Sequence, residues 1–154
     1  MPVSKSSAHR NKPQSQSLFC ALDTNILVRY IAQDDAKQSP IATKLIEQLK
    51  DSNTKCVIST PVLIETIWVL KKLYKANKKE LCQVIESLLV TKSFIFQNRK
   101  EIEQSLEQFK KCNADFSDCL IVSLSRAIRS DKNGLLDVFS FDKKAISAGM
   151  TILK

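Results

Sequence analysis

The sequence predicts an α/β fold, a three-layer α/β/α sandwich whose central, mainly parallel sheet is covered on both faces. Three observations carry this. Short apolar runs of strand length, at residues 18–22, 56–59, 94–96, 137–140 and 151–153, alternate with segments whose apolar residues recur at helical spacing. Several of these runs are continuously apolar instead of alternating, as strands buried on both faces are. Helix-opening signals follow closely on the strands.

Residues 1–16 are polar and basic without periodicity and are expected to form a disordered tail, leaving 17–154 as one folded domain. The first strand, LFCAL, ends at Asp23, and a helix begins near Asn25. Ser39-Pro40 reads as an N-cap with proline in the first turn, opening a helix that carries Ile41, Leu45, Ile46 and Leu49. After the second strand, Thr60-Pro61 repeats that signal, and Val62, Ile64, Ile67, Trp68 and Leu73 are expected toward the core. Asn77 with Glu80 and Asn98 with Glu101 have capping-box spacing and open helices at about 78–90 and 99–111. A further helix over about 116–129 sets Phe116, Leu120, Leu124 and Ile128 along one face, before a turn at Lys132-Asn133-Gly134 and the last two strands.

The chain has 154 residues, 44% of them hydrophobic, and its net charge of +8 with a pI near 9.3 makes a polyanion the natural partner. No apolar run reaches the ~20 residues of a membrane helix, and the first residues lack a signal-peptide core, so a cytoplasmic protein is expected. The five cysteines form no CxxC pair and are expected as reduced core residues.

The acids are placed unevenly. Asp23 closes the first strand, and Glu65 lies early in a helix that starts from the same edge of a parallel sheet, among almost wholly apolar neighbours. Asp115 and Asp118 are three apart at a helix start, and Asp142 follows the strand ending at Ser140. Singly, each has a structural role open to it: Asp23 as an N-cap, Asp115 or Asp118 as a partner of the helix dipole. Together they would repel without a cation, and oxygen-only ligands suit Mg²⁺ or Mn²⁺. Such ions on a basic protein are equipment for cutting a phosphodiester by activated water. The sole histidine, His9, lies in the expected tail, away from these acids.

LDTNILVRY, TPVLIETIWVL, ADFSDCLIVSLSR and FSFDKKAISAGMTIL, in this order, resemble the PIN domain (PilT N-terminus) and within it the VapC-type ribonuclease toxins of bacterial toxin–antitoxin modules. The resemblance spans about residues 18–153. It implies a Mg²⁺- or Mn²⁺-dependent endoribonuclease whose metal-binding acids fall on Asp23, Glu65, Asp118 and Asp142, with Asp115 at a further acidic position. Thr24 and Asn25 complete the first motif, and Ser140 stands where the family carries Ser or Thr. A small antitoxin and a second copy of the chain are the implied protein partners. Lys71, Lys72, Lys75, Arg126, Lys143 and Lys144 are candidates for contacting RNA phosphates, and Tyr74 for stacking on a base. Two rival readings are a non-catalytic RNA-binding PIN domain and a different metal-dependent phosphoryl hydrolase or DNA nuclease.

Overall fold

The computed structural model describes residues 19–128 and 136–153. The expected tail and the turn at Lys132-Asn133-Gly134 lie outside the described residues. The elements run β1 (Phe19–Ala21), α1 (Thr24–Ala32), α2 (Gln38–Asp51), β2 (Lys55–Ile58), α3 (Thr60–Lys72), α4 (Lys78–Val90), β3 (Phe94–Phe96), α5 (Arg99–Lys111), α6 (Phe116–Ala127), β4 (Phe139–Ser140), a 3-10 helix (Lys143–Ala148) and β5 (Thr151–Ile152). This is the α/β alternation the sequence implies: a parallel central sheet in the order β1-β2-β3, flanked by helices.

Cys20 stands opposite Cys56, and Val57 opposite Ile95. Because β1 and β2 run parallel, both deliver their carboxyl ends, and the helices that follow, to one edge. Among the described residues β4 and β5 pair parallel with each other in a separate two-stranded ladder, where the sequence had suggested one sheet. Cys56, Ile58, Leu63, Ile85, Ile102 and Leu120 sit at the centre of the core, fully buried. The cysteines are free and, apart from half-buried Cys20, buried, as expected. Burial and the neighbouring Cys20 sulfur, 3.3 Å away, push the Cys56 thiol up to about 12.

Several local expectations are corrected. Helix α2 begins at Gln38, so Ser39 lies inside its first turn and is no N-cap. Asp35 does that work: its carboxylate accepts from the backbone N–H groups of Lys37 at 2.9 Å and Gln38 at 2.7 Å. Asn77 and Glu80 form a true capping box, with reciprocal bonds of 3.1 and 2.7 Å. Asn98 forms none, because its backbone is left-handed (φ 59°), which turns the side chain away from the helix start.

On α3 the buried stripe is Leu63, Thr66, Ile67 and Leu70. Trp68 is 55% exposed and Leu73 69%, against expectation. Thr66 disguised the period, a polar residue buried because its hydroxyl donates to the Val62 carbonyl at 2.7 Å. Ile128 is exposed because α6 ends one residue before it. Among the described residues no helix is long and apolar enough to cross a membrane.

Candidate active site

Asp23 occupies the N-cap position of α1 with extended backbone (ψ 160°), yet its side chain makes no capping bond and is exposed. The structural role open to it is thus not taken up. Its neighbour Thr24 points inward, 5% exposed, and its hydroxyl donates to Glu65 Oε2 at 2.7 Å. That bond ties the start of α1 to α3 and orients the Glu65 carboxylate. Glu65 itself is exposed, so the apolar helix around it does not bury a charge as its sequence suggested. Asn25 is exposed in the first turn of α1.

At the start of α6, Asp115 is the N-cap residue and Asp118 lies one turn in. Asp118 Oδ2 accepts from the Asp115 backbone N–H at 3.1 Å, which fixes the half-buried carboxyl in place. Burial pushes the Asp118 carboxyl above the ordinary range, and the nearby charges of Asp115 and Asp142 push it further. The hydrogen bond from Asp115 and the charge of Lys71 oppose this without cancelling it. Asp142 caps the 3-10 helix, accepting from Lys144 N–H at 2.9 Å, while its own N–H donates to Ser140 Oγ at 3.0 Å. Ser140 therefore positions the Asp142 backbone.

The structure thus brings Asp118 near Asp115 and Asp142, and Glu65 to Thr24, the residue that follows Asp23. Lys71, two turns along α3 from Glu65, pairs with Asp115 and links the two groups. Glu65, Trp68, Lys71 and Asp115 line one hollow of about 530 Å³. Among the described residues no three acidic, His or Cys side chains stand close enough to enclose an ion. The donor chemistry, carboxylate oxygens only, fits Mg²⁺ or Mn²⁺, and a cation would relieve the repulsion that adds to the effect of burial on Asp118.

The basic candidates divide. Lys143 and Lys144 are exposed directly after Asp142. Lys72 and Lys75 are exposed at the end of α3. Arg126 donates to the Gly149 carbonyl at 3.3 Å and buttresses the turn after the 3-10 helix, two turns from Asp118. Tyr74 is exposed, and its hydroxyl donates to Asp34 at 2.6 Å and accepts from Arg29 at 3.2 Å. Trp68 was missed at the site because it reads as a core residue. The available signal was its spacing of three from Glu65, which puts both on one helix face.

The "VapC ribonuclease" of Aquifex aeolicus (strain VF5) is 24% identical over 123 residues, covering 80% of this chain and 87% of that protein. No solved structure matches. A family model described as "PIN domain" matches residues 20–149, most of the chain, with Asp23, Glu65, Asp115, Asp118 and Asp142 all inside the match. With that match and the parallel α/β architecture, the chain belongs to the PIN domain family.

Proposed function

We propose that this protein is a Mg²⁺- or Mn²⁺-dependent endoribonuclease, the toxin of a toxin–antitoxin module, acting in the cytoplasm through a domain that spans residues 17–154. The observation that carries the reading is a set of carboxylates with too few counter-charges. Asp118 is raised by burial and further by the charges of Asp115 and Asp142, and Asp23, at a capping position, makes no side-chain capping bond. Residues that served only the fold would not be left in that state.

Asp23, Glu65, Asp118 and Asp142 would hold the ion, with Asp115 beside them. Bound there, the ion supplies an acidified water and offsets charge on the leaving oxygen. The rest is positioning by the chain. Thr24 aims Glu65, the Asp115 N–H aims Asp118, and Ser140 holds the backbone of Asp142. Lys71 offsets part of the negative charge at Asp115, and Lys143 and Lys144 flank Asp142 where an RNA backbone would pass. The relative's name supports ribonuclease chemistry. A cognate antitoxin and a second copy of the chain are the partners this reading proposes.

Incubation of total RNA with the purified protein in Mg²⁺ or Mn²⁺, beside an EDTA control and the Asp23→Asn variant, tests this directly. Metal-dependent cleavage lost in a folded Asp23→Asn protein is the expected result. Equal behaviour of wild type and variant would remove the catalytic reading. RNA retained in EDTA without cleavage would favour a non-catalytic RNA-binding domain. Parallel assays on DNA and on a small phosphate ester separate the remaining phosphoryl hydrolases.

A further inference from the structure

Next to the acids lies a feature their chemistry does not use. The hollow of about 530 Å³ that Glu65 and Asp115 border is walled by apolar groups, chiefly Ile64, Trp68, Leu81, Phe109 and Phe116. Phe109 and Phe116 brace each other edge to face, with centroids 5.9 Å apart, so that wall is rigid. Trp68 stands at its mouth with more than half its surface in water, although α3 has buried positions available. An exposed indole over an apolar hollow is costly to leave open, and its flat face suits another ring.

The rim decides which ring. It carries the Glu65 and Asp115 carboxylates, which accept from an exocyclic amino group and disfavour a carbonyl oxygen standing in its place. A purely apolar occupant would gain nothing from that rim. Lys71, also lining it and paired with Asp115, offers a cation to the phosphate joined to such a base through its ribose. We propose that the hollow is a nucleobase subsite: it receives one unpaired, amino-bearing base (adenine, cytosine or guanine) beside the bond to be cut, stacked on Trp68. The subsite then selects where along a single strand the acids act. Stacking is tolerant of sequence, so the choice among bases comes from the carboxylate rim. This inference deepens the ribonuclease reading and rests on it for the meaning of the selection.

Trp68 is the one tryptophan of the chain, so intrinsic fluorescence reports this position alone. The test titrates the full-length protein, with Ca²⁺ replacing Mg²⁺, with six-nucleotide oligo-C, oligo-U and an abasic oligomer. Oligo-C and oligo-U have rings of equal size and differ at the amino edge. The expected result is strong quenching by oligo-C, less by oligo-U and none by the abasic strand. With fluorescein-labelled oligo-C, Trp68→Ala binds roughly 5- to 150-fold more weakly, and Trp68→Phe recovers most of the loss. The Mg²⁺-induced rise in melting temperature stays as in wild type for both variants. Equal responses to oligo-C and oligo-U, or any response to the abasic strand, overturn the proposal. So does a blue shift that grows with protein concentration in the absence of RNA, which would make this face an interface between two copies. If RNA is cut with metal but Trp68 is silent, the subsite fails and the ribonuclease stands. If oligo-C quenches Trp68 and RNA is never cut, the ribonuclease fails and the base subsite stands.

Discussion

Asp118 shows how one carboxyl trades stability against function. Its raised pKa means that the folded, ion-free protein holds the proton more tightly than the unfolded chain does. The stability it contributes is therefore full below the ordinary carboxylate range and is lost as pH rises through the raised value. Asp118→Asn should raise the melting temperature of EDTA-treated protein at pH 7 and flatten its fall between pH 4 and 7, as followed by circular dichroism. The same variant should lose the melting shift that Mg²⁺ gives wild type, and all cleavage. Thr24→Val acts differently. It removes the bond to Glu65 but leaves that exposed carboxylate to water, so stability should change by less than about 1 kcal/mol while cleavage falls about tenfold or more. The five acids were legible in the sequence because strand ends and helix starts are readable there. Thr24 could be named but not its partner, since a hydrogen bond over 41 positions depends on how α1 meets α3.

Helix α3 contributes Glu65 and Trp68 to one face and the core stripe to the other. Leu63→Ala should cost roughly 2–5 kcal/mol, because Leu63 is fully buried, whereas Leu73→Ala should stay within about 0.5 kcal/mol. Chemical denaturation of the two variants checks this, and comparable losses would return Leu73 to the core. Caps separate in the same way. Asn77→Ala removes the side-chain half of the box, the bond accepted from the Glu80 N–H, and should cost about 1 kcal/mol, while Asn98→Gly, at a left-handed position, should cost nothing. The two asparagines read identically by spacing, and only the backbone angle tells them apart. The helices themselves were legible from periodicity. The inward face of α3 was not, because buried Thr66 breaks the apolar pattern that marks a stripe.

Across the whole molecule, the proposed site draws on residues 23, 65, 115, 118 and 142, so nearly the entire described chain must fold before these acids are in place. With a net charge of +8, binding of single-stranded RNA should weaken steeply between low and physiological salt, which a filter-binding series would show. The order of the elements and their parallel pairing were readable from the alternation of runs. The division into two ladders was not, since two-residue strands leave little periodicity to read.

The separate β4–β5 ladder has a thermal consequence. It carries Asp142, while Asp23 and Glu65 belong to the three-stranded sheet and its helices. Pieces held by so few backbone bonds open locally before a domain melts. The C-terminal ladder should exchange its amide hydrogens faster than β2, and the fourth acid would leave with it. Heat should then silence the protein some degrees below its melting point, and cooling should restore it without refolding.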